Sequence, residues 1–488
     1  MPITNEFDPA QNGWYFSNQG GFAPSLSSDY ALWNLYRETY LGINPTNDPV
    51  EAPLDCFFYE NCFKQINAQG NCGGMSLLAL ALFKYGGYMG FCSPASAYCP
   101  TESTLSSIDE DLFKAINILQ ARQFSAPGVE NFLDVGVAGM LNNADAAFAR
   151  VKGLLSKGDY PVLCIATSLE GGAAHTVIPY RVEGSLTSYP KIMYIWDSNH
   201  PFDDDPTHYH DTSSDCQLVI NGPTDWTYTS QSRTYAGSLD GWCFAVPMSL
   251  ILRKAPQPMS LSMIGTALGT FLVNGPGAAV SQISDDKGHR FYKTEADEHL
   301  STSDLETDPS RRLKEMVRWP WFGRAGDGEL PGELYLMRRR AGNTPLNLTV
   351  SGTEYKVTNA MAGNLIEIDV KSSTRSRDTI KISGLSTAAQ SLEIKALGEP
   401  RTVNIRQLRV GRRGAEWKSV SIKNVNVPRE GLVINMVDDL AAVEVLSADK
   451  AVEFEMEVQQ RFGVKVSTRD VGRLSTVSGR VLRVASTD

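Results

Sequence analysis

The pattern of apolar residues predicts a helical first half of the chain. Residues 73–85 form a nearly continuous run of apolar residues and good helix formers, GGMSLLALALFKY, which ends at two glycines. Such a run predicts a buried helix that begins at Cys72 and ends at Gly86. Further helices are predicted at about 108–123 and 143–157, and the segments HTVIPYRVE and KIMYIW predict two strands of a hairpin joined by the loop EGSLTSYP.

The pattern changes to that of strands in the second half. From about residue 335, short segments such as LNLTVSG, LIEIDVKS and TIKISGL alternate apolar with polar residues, with Gly, Asn and Ser between them. Alternation at this spacing predicts an all-β, sandwich-like region. The apolar segment 261–280 is interrupted by Asn274, Gly275 and Pro276. It is shorter than the ~20 residues of a membrane-spanning helix, so we expect a buried helix or a pair of strands.

Charge and cysteine content also divide the chain. Residues 1–250 contain 11 Lys and Arg against 26 Asp and Glu, whereas residues 251–488 contain 34 against 29, which together give the net charge of −10. All eight cysteines lie at or before Cys243. We therefore predict an α+β domain over 1–250, a connecting region of mixed structure over 251–335, and a β-sandwich-like accessory domain over 336–488.

Composition restricts the class of protein. Hydrophobic residues make up 42% and charged residues 20% of the chain, as in ordinary globular proteins. The first residues lack the basic and apolar regions of a signal peptide, so we expect synthesis in the cytoplasm, with signal-independent export left open. The first half of the chain is acidic, and the basic clusters 338–340 and 412–413 are too short to form a large basic surface. Both observations argue against nucleic-acid binding. A protein partner could bind the β-rich region.

Cys72 is the first candidate for chemistry. It follows the loop Gln69-Gly70-Asn71 and stands where the predicted helix begins. The amides at a helix N-terminus favour negative charge, lower the pKa of a thiol and can bind an oxyanion. The alternative is a small buried cysteine in a core helix.

His175 and Asp197 are the partners expected for such a thiol. His175 begins the first strand of the predicted hairpin and Asp197 ends the second. Pairing of these strands would bring the carboxylate close to the imidazole, where it would fix the tautomer and stabilise the imidazolium. Each residue alone could be structural, as a strand histidine or as an Asx turn.

The order of these three residues resembles the papain-like superfamily of cysteine peptidases. The segments CGGMS, AHTVIPY and YIWDSNHP carry the resemblance, which covers roughly residues 50–250 and is closer to the bacterial peptidase C39-like branch, with Asp as third member, than to papain. The resemblance implies a helical part, an antiparallel sheet and a peptide or protein substrate between them. It also implies a Cys72 thioacyl-enzyme, with no metal or organic cofactor.

The sequence departs from the papain-like pattern at the oxyanion hole. The glutamine expected about six residues before the nucleophile is replaced by Ile66. We predict that Gln65 takes its place, with Gln69 as the alternative. Asn199 is the alternative to Asp197 as third member.

Two other patterns leave alternatives open. Residues 203–211, DDDPTHYHD, could bind a metal or form an acidic loop beside the site. The pairs Cys56/Cys62 and Cys92/Cys99 could form disulfides, although reduced cysteines are the simpler expectation.

The predicted activity has two rivals. A transglutaminase or deamidase would use the same residue types on protein Gln, although its histidine usually lies nearer to the cysteine in sequence. An inactive papain-like fold that serves as a binding or assembly module is the non-enzymatic alternative.

Overall fold

The computed structural model describes most of the chain, in two compact units. The units comprise Met1–Met259 and Ser260–Asp488. The described residues are 3–4, 7–18, 20–41, 52–68, 70–98, 108–167, 174–200, 216–230, 233–239, 241–252, 268–275, 278–291, 316–319, 332–338, 345–361, 363–384, 389–397, 401–410, 416–437, 440–447, 449–462 and 465–486.

The first unit combines helices with antiparallel strands. Its helices are α1 Pro9–Asn12, α2 Asp29–Thr39, α3 Pro53–Phe58, α4 Lys64–Ala68, α5 Cys72–Tyr85, α6 Glu110–Arg122, α7 Ala126–Val137, α8 Ala144–Ser156 and α9 Met248–Ile251, with a π-helical turn Tyr59–Phe63 between α3 and α4. The predicted helices at 72–86, 108–123 and 143–157 are therefore confirmed as α5, α6 and α8. Ser28, Asp109 and Asn143 cap three of these helices with side-chain oxygens.

Helix α5 lies at the centre of the first unit. Every residue from Cys72 to Leu82 is buried, and the helix ends at Gly86, which adopts the left-handed conformation with φ 68°. A helix buried on all sides must approach its neighbours closely. Gly74 permits this approach, because a Cβ atom there would lie 2.1 Å from the Ile116 carbonyl oxygen of α6.

The sheet of the first unit places strands beside α5. Its strands are β1 Ile3–Thr4, β4 Pro161–Ala166, β5 Ala174–Glu183, β6 Lys191–Trp196, β7 Gln217–Ile220, β8 Trp226–Ser230, β9 Arg233–Ala236 and β10 Trp242–Pro247, while β2 Gly87–Tyr88 and β3 Phe91–Cys92 form a separate pair. The strand order is β10-β4-β5-β6-β7-β8-β9, and each neighbouring pair is antiparallel. The predicted hairpin is therefore confirmed as β5–β6. Phe148, Val151 and Leu155 of α8 pack on this sheet.

The described part of the second unit is all-β. Its strands are β11 Leu268–Asn274, β12 Ala279–Asp285, β13 Arg290–Phe291, β14 Met316–Trp319, β15 Gly332–Arg338, β16 Leu346–Met361, β17 Asn364–Ser383, β18 Gln390–Ala396, β19 Arg401–Val410, β20 Trp417–Val427, β21 Leu432–Val437, β22 Ala442–Ser447, β23 Glu453–Phe462, β24 Lys465–Ser475 and β25 Val481–Ala485. They form one continuous sheet rather than the two separate sheets of a simple sandwich.

The long strands β16 and β17 belong to both halves of this sheet. The first part of β16 pairs with β12 and its last part with β11, and β17 likewise pairs with β19 and then β18. The ladder shifts register between Gly352 and Glu354, where a buried network forms. Arg401 Nε donates to Asp378 Oδ1 at 3.1 Å, and Tyr355 Oη donates to Asp378 Oδ2 at 2.6 Å.

The segment predicted as a connecting region contributes strands to the second unit. Strands β11, β12, β13 and β14 fall within it, β15 begins in it, and all five pair in the sheet described above. The apolar segment 261–280 contains β11 and the beginning of β12, which agrees with the expected strands, although each pairs with β16. Among the described helices, none combines the length and apolar character needed to cross a membrane.

The close approach of α5 and α6 gives a stability prediction. We expect Gly74→Ala to lower the free energy of unfolding of the first unit by about 1–3 kcal/mol, because its methyl group overlaps a backbone oxygen. Gly153→Ala in α8 is the matched control, since no atom lies within 4 Å of its Cβ position. We expect it to stabilise by about 0.5–1 kcal/mol. Urea unfolding, monitored by hydrogen exchange of peptides from the first unit, measures the free energy of unfolding of both variants. Equal stabilisation by the two substitutions would contradict the packing argument.

Candidate active site

Cys72 is the first residue of α5, and the helix turns its side chain toward β5. Ser76, one turn later on the same helical face, donates from Oγ to the Thr176 carbonyl at 3.2 Å. Thr176 immediately follows His175. This contact places the beginning of α5 beside the beginning of β5, where the His175 side chain and the Thr176 backbone both lower the pKa of the Cys72 thiol.

The register of the β5–β6 hairpin brings Asp197 to His175. Ile178 pairs with Trp196, so Asp197, the next residue, lies diagonally across from His175 on the same face. The His175 Nε2 and Asp197 Oδ1 atoms are 2.5 Å apart. Since Nε2 contacts the carboxylate, Nδ1 is the nitrogen left for the thiol. The structure thus brings the three predicted residues together in the expected order, and their catalytic role stays a prediction.

The Asp197 carboxylate accepts three further hydrogen bonds. Tyr228 Oη and Ser230 Oγ, both from β8, each donate to Oδ2 at 2.7 Å, and the Asn199 backbone N–H donates to Oδ1 at 2.7 Å. Asp197 is only 2% exposed. A carboxylate with this many donors remains ionised despite its burial. Asp197, rather than Asn199, contacts the imidazole among the described residues.

The charges in the site favour an ion pair between Cys72 and His175. Burial raises the pKa of the Cys72 thiol, whereas the charge and hydrogen bond of His175 lower it. The lowering effects are larger in sum, so the pKa of Cys72 lies below its usual value. Burial lowers the pKa of His175, but Asp197 and Cys72 raise it well above its usual value. In contrast, burial raises the pKa of the neighbouring Cys164 to about 12. Cys72 is therefore distinguished from a merely buried cysteine.

The beginning of α5 presents two backbone donors beside the sulfur. Of the helix's first N–H groups, that of Asn71 donates to Asn18 Oδ1 at 2.8 Å and that of Gly74 donates to Gln120 Oε1 at 2.8 Å. The Asn71 side chain does not cap the helix, and the hydrogen bonds of the described residues include none from the N–H groups of Cys72 and Gly73. Two amides next to the nucleophile are therefore available to a developing oxyanion.

The role of Gln65 as an oxyanion donor stays a prediction. Gln65 lies half-buried on α4, and no hydrogen bond links it to Cys72. The alternative, Gln69, lies outside the described residues. A short helix of its own, α4, carries Gln65 and precedes the nucleophile loop.

Two glutamines that sequence analysis missed lie beside the nucleophile. Gln123 Nε2 donates to Gln120 Oε1 at 3.2 Å, and Gln123 Oε1 accepts from Thr176 Oγ1 at 3.3 Å. Gly73 leaves room for the Gln123 amide, since a Cβ atom there would lie 1.9 Å from Nε2. The sequence feature that could have revealed them is the spacing of Gln120 and Gln123. They lie three residues apart in the predicted helix 108–123, which places both amides on one face of that helix.

The remaining sequence candidates lie elsewhere. The acidic segment 203–211 lies outside the described residues, as does Cys99. The seven cysteines that the structure describes, including Cys56, Cys62 and Cys92, form no disulfide with one another. No group of three or more potential metal ligands occurs within the described ranges.

Comparison of the chain with protein-family models, with curated proteins and with solved structures finds no match in any of the three. The arguments about function therefore depend on the site itself.

The ion pair predicts early alkylation of Cys72. A lowered thiol pKa extends the ionised form of Cys72 to pH values below ~8.5, and a raised imidazole pKa extends the charged form of His175 to pH values above ~6.5. Both charges therefore coexist between the lowered thiol pKa and the raised imidazole pKa. We expect iodoacetamide to modify Cys72 well below pH 8, as followed by peptide mass spectrometry, with a short cysteine peptide as reference. Asp197→Asn should move the profile upward. A Cys72 profile that matches the reference peptide would contradict the ion pair.

The donors to Asp197 predict a cost in stability. We expect Tyr228→Phe to lower the free energy of unfolding of the first unit by about 1.5–3 kcal/mol, because it removes a hydrogen bond to a buried charge. Tyr189→Phe is the control, since Tyr189 is itself exposed and its hydroxyl bonds Asp145, whose side chain is partly exposed. Urea unfolding compares the two variants, and an equal effect would argue against a special role for the Asp197 contacts.

Proposed function

We propose that the first unit is a cysteine peptidase or related amide hydrolase with a papain-like arrangement of Cys72, His175 and Asp197. The observation that carries the proposal is the continuous chain of contacts from sulfur to imidazole to buried carboxylate. Nucleophile, base and orienting group within hydrogen-bond reach are the signature of covalent acyl transfer. The position of the thiol at a helix N-terminus adds to this support.

The first half of the proposed reaction forms a thioester. The Cys72 thiolate attacks the carbonyl carbon of an amide, and the carbonyl oxygen takes the negative charge. His175 then transfers its Nδ1 proton to the amide nitrogen, the C–N bond breaks, and an amine leaves. Asp197 keeps the imidazole oriented through Nε2 and stabilises its positive charge before the transfer.

The second half returns the enzyme to its starting state. Neutral His175 takes a proton from water through Nδ1, and the hydroxide oxygen attacks the thioester carbonyl. The C–S bond breaks, which releases a carboxylic acid and restores the thiolate–imidazolium pair. The negative charge on the acyl oxygen in both halves would be bound by the N–H groups of Cys72 and Gly73, the two donors at the start of α5 that have no described acceptor.

Peptide turnover tests this proposal. We expect the full chain at neutral pH to cleave peptides in a mixed library, with new termini detected by mass spectrometry. Cys72→Ser should lose all detectable turnover, and Asp197→Asn should lose about 100-fold or more, because the imidazole loses its orienting charge. Cys92→Ser, which changes an exposed cysteine outside the site, is the matched control and should retain activity.

The same library separates the rival activities. Conversion of Gln to Glu, or incorporation of an added amine at Gln, without cleavage would replace the hydrolase proposal with deamidase or transglutaminase chemistry at the same triad. No product of any kind, together with an unactivated Cys72 thiol, would favour the inactive binding module.

A further inference from the structure

A segment near the N-terminus connects the two sides of the candidate site. Its described residues Asn18 and 20–23 are attached to the first unit by buried amides. The Gly21 carbonyl accepts from Asn71 Nδ2 at 3.0 Å and from Asn117 Nδ2 at 3.1 Å, and the Ala23 N–H donates to Asn117 Oδ1 at 3.1 Å. Asn71 and Asn117 have no exposed surface. The segment is therefore held firmly beside the beginning of α5.

Asn18 contacts both the nucleophile loop and the turn after Asp197. Its Oδ1 accepts from the Asn71 N–H at 2.8 Å, one residue before Cys72. Its Nδ2 donates to Asn199 Oδ1 at 3.1 Å, and its own N–H donates to the Ser198 carbonyl at 2.7 Å. Because a backbone N–H can only donate, the atom facing Asn71 must be the oxygen of Asn18, which fixes the orientation of the amide.

We propose that Asn18 is a positioning residue, which sets the distance between the Cys72 thiol and the His175–Asp197 pair. This inference depends on the proposed function, since it assigns Asn18 to the same site. Ser76 already ties α5 to β5 through the Thr176 carbonyl. Asn18 supplies a second link, which we call the Asn18 tie, from the Asn71 N–H before α5 to Ser198 and Asn199 after β6. Two separate links fix the orientation of the start of α5 relative to the hairpin better than one.

The chemistry of the side chain explains why asparagine stands there. The contact requires an acceptor toward Asn71 and a donor toward Asn199 at the same time, and a short amide provides both. Alanine at this position would leave the Asn71 N–H without its acceptor and the Asn199 oxygen without this donor. Geometry around an active site is sensitive to such losses, since a misplacement of 1 Å can reduce a rate about 100-fold.

The pH profile of Cys72 alkylation provides the readout. The titratable groups that influence the thiol are His175 from β5, Asp197 after β6 and Cys164 from β4. Asn18 adds no charge to this set. An upward shift of the profile in an Asn18 variant therefore reports a change in the distance or orientation of those groups.

The test compares single and double variants of the full chain. We expect Asn18→Ala to reduce the rate of Cys72 alkylation by iodoacetamide at pH 6 by about tenfold or more and to move the profile upward. Asn199→Ala, which removes one partner of the tie and leaves its backbone N–H on Asp197, should act in the same direction. The double variant should be no worse than Asn18→Ala alone, because the contact that Asn199→Ala removes is already broken in Asn18→Ala.

Asn143→Ala is the matched control. Asn143 also accepts from a helix amide, the Ala146 N–H at 3.0 Å, but it caps α8. We expect it to lower thermal stability without shifting the Cys72 profile. Should Asn18→Ala fail to fold, Asn199→Ala alone tests the tie.

The outcomes separate the two proposals. An activated thiol in the wild type together with unchanged profiles in Asn18→Ala and Asn199→Ala would overturn the positioning role and leave the proposed function in place. An ordinary thiol in the wild type would overturn both. A shifted profile in the Asn143→Ala control would also overturn the positioning role, because general destabilisation would then explain the effect.

Discussion

The candidate site depends on one buried carboxylate. Removing a charge from water costs several kcal/mol unless other groups replace the lost hydrogen bonds. Asp197 receives four such groups from separate parts of the sheet: the His175 ring on β5, the Asn199 amide after β6, and the Tyr228 and Ser230 hydroxyls on β8. The carboxylate therefore requires these strands to be in register, and the imidazole it orients in turn sets the state of the thiol.

Helix α5 meets this network from the other side. Its first residue supplies the sulfur, and Ser76 fixes its approach to β5. Gly73 and Gly74 allow the helix to lie against Gln123 and the Ile116 carbonyl without steric conflict. The charges then alternate from carboxylate to imidazolium to thiolate, so that each buried charge is stabilised by an opposite neighbour. Packing and electrostatics thus act on the same few atoms.

The sequence was most informative where local periodicity determined structure. The helix at Cys72 and the β5–β6 hairpin were predictable from runs of residues that are adjacent in the chain, and the hairpin brought His175 and Asp197 together. The contacts of Gln123, Tyr228 and Asn18 were not predictable, because they depend on which distant elements pack together. The role of Gln65 stays a prediction, because its position came from a family spacing rather than from a local pattern. In the second unit, the alternation of apolar and polar residues predicted the strands. It could not specify that β16 pairs with both β12 and β11, or that β17 pairs with both β19 and β18.

The order of the elements along the chain has a consequence for synthesis on the ribosome. Cys72 emerges well before His175, and the two β8 hydroxyls that hold Asp197 emerge later still. The sheet is completed only when β10 pairs with β4. Until β5 and β6 have emerged and paired, the growing chain carries Cys72 without the imidazole and carboxylate of the site. The lowered pKa of Cys72 therefore depends on residues that are synthesised about 100 positions after it, and it cannot arise before they have folded against α5.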